Sequence, residues 1–324
     1  MPDRGPPTPN AGLFNEAFLT RLEQLVLAGR KLYAGSTSGQ RRSTRIGDGV
    51  EFADHRAYFP GDDLRYIDWN VYARTERLLL RLFHEEADLL VHLILDTSAS
   101  MAMGSAPNAR RRRRRGSSGN AGAALSEPTS KFDHARRIAA ALGHLSLANL
   151  DRVAVWTASD APPRSLPVIR GMAQRNRLLE FLAATRPAGR ADLARTADTL
   201  AARRAGRGVA VLLSDFIDVG DLARALDRLR FAGIDCYAVQ VLAPEEIDPP
   251  YRGRVDLTDA ETAEATRFRV TPELRAAYLT ELAERFEALE RLCAAREALL
   301  VRTVTTDAFE RLILRTFRLA GLLQ

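Results

Sequence analysis

Three mainly apolar runs constrain the fold of this chain most. Residues 89–95 read LLVHLIL, residues 209–213 read VAVLL, and a third run covers 234–242. Strands that are apolar on both faces are typical of parallel sheets covered by helices on each side. The segments between the runs have the apolar spacing of helices. The alternation over 89–242 therefore predicts an α/β fold, with a mostly parallel sheet and helices on both faces.

The chain on either side of this region has elements of its own. Helical spacing over residues 13–34 predicts an N-terminal helix. Residues 51–75 mix aromatics with acids and arginines, which indicates a loop-rich β element pinned by Arg–carboxylate pairs. The predicted parts of the chain are a disordered leader at 1–12, the helix and this aromatic–acidic block at 13–88, a sheet domain at 89–245 with a disordered insertion at 104–130, and a C-terminal hairpin and helices at 246–324 packed on the same domain.

The basic character of the chain comes from one segment. The 324 residues carry a formal net charge of +6, with 47 basic residues against 41 acidic ones. Arg110–Arg115 supplies six consecutive arginines, and without them the two signs balance. Such a run is most simply a solvated tract, and its alternative is a salt-sensitive contact with a polyanion. The folded body therefore does not favour nucleic acid as a partner.

Composition and motifs exclude several other classes of protein. Two cysteines cannot form a disulfide framework or a CxxC metal site, and they suit a reducing compartment. The N-terminus lacks an apolar signal core, and no stretch approaches about 18 apolar residues. We therefore expect a cytoplasmic protein with no membrane span. The sequence also lacks HExxH, a GxSxG nucleophile elbow and a phosphate-binding GxxxxGK[ST] loop.

Polar side chains follow two of the apolar strands. Asp96, Ser98 and Ser100 come directly after the first strand, and Asp215 follows the strand at 209–213. In open parallel sheets, ligands bind at the carboxyl ends of strands. Carboxylates and hydroxyls are the oxygen ligands that Mg²⁺ prefers. The residues thus predict a magnesium site, and the alternative is a cluster of helix caps and turns that keeps this shape without an ion.

These residues resemble a known family. Asp96-Thr97-Ser98-Ala99-Ser100 resembles the DxSxS opening of the metal-ion-dependent adhesion site of von Willebrand factor A domains, and Asp215 resembles its later strand-end acid. Residues 49–101 are closely similar to the domain-of-unknown-function 58 (DUF58) family, whose members carry a von Willebrand A-like domain. The resemblance implies that Asp96, Ser98, Ser100 and Asp215 hold Mg²⁺. Ala191 stands where the adhesion site has a threonine, and Asp192 could replace that oxygen only by turning inward.

The resemblance also implies a function. DUF58 proteins are associated with MoxR-type AAA+ ATPases, which implies a non-enzymatic adaptor that helps such an ATPase to mature or remodel an unknown client protein. The 54–75 block would then brace the site or dock the ATPase. One alternative is a metal-dependent hydrolase or nuclease with Asp96 and Asp215 as ligands. The other is a nucleic-acid binder that uses Arg110–Arg115 and the arginines at 41–45.

Overall fold

A computed structural model gives the architecture of the chain. It describes residues 14, 16, 18–24, 51–60, 62–84, 89–104, 130–203, 208–258, 260, 262, 264–307 and 313. The chain divides into two compact units, of which the smaller spans residues 33–88 and the larger comprises residues 1–32 and 89–323. The predicted leader and Arg110–Arg115 lie outside the described residues, as do most of the insertion and most of the last helix. Among the described residues, no helix is long and apolar enough to cross a membrane.

The smaller unit is a two-stranded antiparallel sheet with a short helix. Its elements are β1 (Glu51–Ala57), α1 (Trp69–Thr75) and β2 (Leu79–His84). The Asp68 carboxylate caps α1 by accepting hydrogen bonds from two backbone N–H groups of its first turn. Arg56 donates to both carboxylate oxygens of Asp62, at 2.8 and 2.7 Å, and Arg65 pairs with Asp63. The Arg–carboxylate pairs predicted for this block are therefore present.

The larger unit alternates strands and helices. Its elements in chain order are β3 (Leu90–Asp96), α2 (Lys131–Ala148), β4 (Arg152–Ala158), β5 (Ser165–Arg170), α3 (Arg175–Ala184), α4 (Leu193–Ala202), β6 (Gly208–Ser214), α5 (Val219–Phe231), β7 (Ile234–Leu242), α6 (Pro244–Ile247), β8 (Gly253–Thr258), β9 (Ala265–Val270), α7 (Pro272–Ala295) and β10 (Leu299–Val304). The strands and helices predicted between 89 and 304 are present, and their ends differ by a few residues. The short α6 was not predicted.

The order of the strands decides where a ligand can bind. The central sheet has the order β10-β7-β6-β3-β4-β5, and all pairs are parallel except that of β4 with the edge strand β5. Counted along the chain this is the 3-2-1-4-5-6 order of doubly wound sheets. The order reverses between β3 and β6, and such a switch point is where these sheets bind ligands. The predicted α/β fold, with a mostly parallel sheet and helices on both faces, is confirmed.

Helices cover both faces of the sheet because its strands are apolar on both faces. Leu93 and Leu95 of β3 lie in one core with residues of α2, α3 and the helical stretch within 16–24. Ile94 points to the opposite face and packs with α4, α5 and α7. His92, which is fully buried, accepts a hydrogen bond at Nδ1 from the Trp156 indole at 3.4 Å. His92 is therefore a core residue, as its apolar strand predicted.

Candidate functional site

The four predicted ligands meet at the switch point of the sheet. Asp96 ends β3, a 3-10 turn carries Ser100 after Ser98, and Asp215 directly follows β6. All four side chains belong to buried residues, since none is more than 8% exposed. They line one cavity of 190 Å³ at the carboxyl ends of β3 and β6. Parallel pairing of these two strands brings residues about 120 positions apart into one cluster.

A continuous set of hydrogen bonds connects these side chains. The Ser98 and Ser100 hydroxyl oxygens lie 3.0 Å apart, and Ser100 Oγ donates to Asp215 Oδ2 at 3.0 Å. The Ser98 backbone N–H donates to Asp96 Oδ1 at 2.7 Å, which orients the carboxylate toward the turn. Ser214 Oγ donates to Asp96 Oδ2 at 2.5 Å and accepts from a backbone N–H. Ser214 is therefore a supporting residue of the site that the motif did not identify.

The charge on Asp96 is poorly solvated in this arrangement. Burial, with a further contribution from the nearby Asp215 carboxylate, raises the pKa of Asp96 to about 6. The hydrogen bonds from Ser214 and Ser98 oppose this rise but are outweighed. A bound cation would favour the ionised form of Asp96, because an opposite charge stabilises a carboxylate.

The loop before α4 lies against the Asp96 turn. The Ala188 N–H donates to the Thr97 carbonyl at 2.7 Å, and the Ala99 N–H donates to the Gly189 carbonyl at 2.9 Å. Gly189 has a φ of +70°, a conformation that favours glycine. These contacts place Ala191 in the lining of the cavity. The position expected for a third hydroxyl thus faces the site and carries a methyl group.

The acid next to Ala191 does not supply the missing oxygen. The carboxylate of Asp192 caps α4, accepting from the Arg195 backbone N–H at 2.8 Å, and it is not part of the cavity lining. Asp221 does line the cavity, but its oxygens accept from the backbone N–H groups of Leu193 and Ala194, at 2.6 and 3.1 Å. Asp221 therefore anchors α4 beside the site, a role that the sequence did not reveal.

A buried lysine also belongs to the cluster and was missed from the sequence. Lys131 Nζ donates to Asp215 Oδ2 at 2.7 Å and to Glu246 Oε1 at 2.6 Å, and the lysine side chain is fully buried. Burial lowers the pKa of Lys131, but the two carboxylates outweigh this effect, so its pKa lies above the usual value. The available signal was composition, because Lys131 is one of only two lysines in an arginine-rich chain.

An exposed apolar groove lies beside the cluster. It has a volume of 540 Å³ and is lined by residues of β8, β9 and the start of α7, including Phe268, Leu274 and Tyr278. These three side chains are between 39% and 45% exposed. Glu246 lines the groove as well, and the Tyr278 hydroxyl donates to its backbone carbonyl. Glu246 therefore connects the groove to Lys131 and through it to Asp215.

The oxygens are spaced as hydrogen-bonded atoms, and this spacing is also close to that of neighbouring ligands around a small divalent cation. In an octahedral shell with Mg–O distances near 2.1 Å, neighbouring ligands lie about 3 Å apart. The pairs Ser98 Oγ–Ser100 Oγ and Ser100 Oγ–Asp215 Oδ2 are both 3.0 Å apart. The described residues contain no group of three or more His, Cys, Asp and Glu arranged for a metal. An ion at this site would therefore depend on the two hydroxyls.

Comparison with known proteins identifies the family. The family model described as "Protein of unknown function DUF58" matches residues 54–124 and 115–288. The chain belongs to the DUF58 family. Uncharacterized protein Mb1516 of Mycobacterium bovis and uncharacterized protein Rv1480 of Mycobacterium tuberculosis are each 30% identical to this DUF58 protein over 300 residues. The aligned region covers 92% of this chain and 84% of each relative.

Two solved structures are similar to this DUF58 protein over most of their own length. The conserved hypothetical protein BatB from Bacteroides thetaiotaomicron has a TM-score of 0.40 at 13% identity, covering 72% of this chain and 99% of its own. The SpRpn10 VWA domain has a TM-score of 0.37 at 10% identity, covering 70% of this chain and 94% of its own.

Proposed function

We propose that this DUF58 protein is a non-enzymatic interaction module that binds a partner protein at the switch point of its sheet. The observation that carries the proposal is the convergence of Ser98, Ser100 and Asp215 with Asp96 on one cavity at this switch point. Together with Asp96, these side chains would hold Mg²⁺. A divalent cation held there supplies positive charge that a carboxylate of a partner protein can neutralise.

The charge of the cluster supports a cation. Asp96, Asp215 and Glu246 carry three negative charges when ionised, and Lys131 supplies one positive charge. Within these hydrogen bonds the carboxylates outnumber the ammonium by two, and Arg190, Asp218 and Asp221 also line the cavity. Buried carboxylates without compensation are unfavourable. One divalent ion would balance them.

The adjoining groove supports a protein as the ligand. Phe268, Leu274 and Tyr278 line this groove with exposed apolar surface, and Glu246 lines it as well. A small anion would bury none of this surface, whereas a peptide segment could place apolar side chains in it. We therefore infer that the partner segment carries an acidic residue for the ion and apolar residues for the groove.

The proposed partner is a MoxR-type AAA+ ATPase. Membership of the DUF58 family supports this choice through the association that the sequence resemblance implied. The module would present a client protein to the ATPase, or hold the ATPase in an active assembly, without performing chemistry itself. Among the described residues that line the cavity there is no histidine or cysteine to act as a base or nucleophile.

A pull-down of the purified full chain with the MoxR-type ATPase of the same genome tests the proposal. The measurement compares binding in Mg²⁺ with binding in EDTA, for the wild type, Asp96→Asn and Phe268→Ser. Asp198→Asn is the matched control, because Asp198 lies on the exposed face of α4 and pairs only with surface charge. We expect EDTA and both site variants to reduce binding at least about tenfold and the control to leave it unchanged.

Two results would contradict parts of the proposal. If the ATPase binds neither in Mg²⁺ nor in EDTA, it is not the partner. If it binds equally well in EDTA and to Asp96→Asn, the ion has no part in recognition.

A further inference from the structure

The most unusual group in the cluster is the ammonium of Lys131. Lys131 is the first residue of α2, and its side chain is fully buried between Asp215, which follows β6, and Glu246 of α6. Burying a charge is costly unless it is paired, and here two carboxylates pair with it. The ammonium is therefore an integral part of the cluster rather than a surface charge.

Asp215 Oδ2 has two donors. This oxygen accepts from Ser100 Oγ at 3.0 Å and from Lys131 Nζ at 2.7 Å. Ser100 and Asp215 are two of the four residues that would hold a divalent ion. An ion that used this oxygen would share it with the ammonium and would lie within a few ångströms of a like charge. Lys131 thus acts on the same atom as an incoming ion.

The ammonium cannot replace the ion as a docking point. Its side chain has no exposed surface, and Asp215 and Glu246 already accept two of its three hydrogens. A partner carboxylate could therefore reach it only after one of these pairs had broken. The effect of Lys131 is directed inward, onto Asp215.

We propose that Lys131 is the intrinsic counter-ion of this site and that it sets how strongly the site holds a divalent cation. The inference rests on the proposed function, because it concerns the same cluster. With Lys131 present, Asp215 is partly neutralised and the ion is held weakly. Without it, the cluster has one more uncompensated negative charge, and Asp215 Oδ2 no longer accepts from an ammonium.

Direct binding of Mn²⁺ to the metal-stripped full chain tests this proposal. Electron paramagnetic resonance measures free Mn²⁺ and needs no partner protein. Lys131→Met removes the charge and keeps most of the side-chain volume. We expect it to bind Mn²⁺ at least about tenfold more tightly than the wild type, because a unit charge a few ångströms away has been removed. Lys131→Arg keeps the charge but needs more room, so it serves as the charge control once circular dichroism shows that it is folded, and it should not bind more tightly than the wild type.

Loss of a buried partner could unfold the chain, so a second variant is needed. Lys131→Met/Glu246→Gln removes the ammonium together with one carboxylate and keeps the net charge of the cluster. It should also bind Mn²⁺ more tightly than the wild type, because Asp215 is freed from the ammonium. Circular dichroism establishes that each variant is folded before binding is measured, and where the single variant is unfolded the double variant decides.

The outcomes separate this inference from the proposed function. Tighter binding by the folded variants supports the role of Lys131, whether or not the wild type binds Mn²⁺. If the wild type binds no Mn²⁺, the ion has no part in the proposed function. Equal or weaker binding by the folded variants overturns the role of Lys131. If the wild type binds Mn²⁺ in that case, the proposed function is unaffected.

Discussion

Replacing Asp96 by asparagine should change how stability depends on pH. Asp96 is 1% exposed, and burial together with Asp215 raises its pKa from 3.8 to about 6. A difference of about two pKa units between the unfolded and folded states corresponds to about 3 kcal/mol. Ionised Asp96 therefore lowers the free energy of unfolding of the metal-free protein by about that amount at pH 8. Asparagine has nearly the same shape and no charge.

The sign of the effect follows from proton binding. The folded state holds the Asp96 proton more tightly than the unfolded state. Its contribution to stability is fully present below pH 3.8 and is lost as the pH rises through about 6. Relative to Asp96→Asn, the wild type should therefore lose about 1 to 2 kcal/mol between pH 5 and pH 8.

Urea unfolding in EDTA at pH 5, 6, 7 and 8 measures this difference. The chain has two tryptophans, and in a Trp69→Phe background the fluorescence of the buried Trp156 reports the larger unit. Burial also lowers the pKa values of His92 and His134 to about 4. Both histidines are present in each protein, so their contributions cancel when the two unfolding free energies are subtracted.

If the difference between wild type and Asp96→Asn is the same at pH 5 and pH 8, then Asp96 does not titrate as its burial requires. Addition of Mg²⁺ at pH 8 provides a further check. It should stabilise the wild type more than the variant, because a ligand stabilises only the state that binds it.

Three further changes have defined outcomes. Ala191→Thr places a hydroxyl in the cavity lining and should tighten Mn²⁺ binding about tenfold, as measured by electron paramagnetic resonance. Unchanged Mn²⁺ affinity would show that the loop does not reach the ion. Gly189→Ala forces a left-handed conformation, with φ of +70°, on a residue with a Cβ, and should lower the urea-derived unfolding free energy by about 1 to 2 kcal/mol. As the pH falls from 6.5 through about 4, the His134→Gln variant should lose less stability than the wild type, because it lacks the buried imidazole whose pKa is lowered to about 4. Equal pH dependence of the two urea midpoints would contradict this.

The fold and the clustering of the candidate ligands could be predicted because their signals are local. β3 and β6 are apolar on both faces, so each strand is recognisable from a few consecutive residues. The residues after these strands were also predictable, since carboxyl ends of parallel strands meet at one edge. Asp96 and Asp215 therefore lie in one cluster as expected, although no sequence pattern indicates the distance between them.

The counter-ion could not be predicted in the same way, because its signal is not local. Lys131 follows a low-complexity segment at the start of a helix, a position at which lysine is ordinarily solvated. Its partner Glu246 is 115 residues further along the chain and is positioned by α6, which no pattern predicted. Only composition distinguishes Lys131, since the chain uses arginine almost throughout. A compact ammonium on a flexible stem can lie between two carboxylates in a closed space, whereas a planar guanidinium with five donors needs more room and more acceptors. At Lys131, therefore, size and geometry restrict the residue in addition to charge.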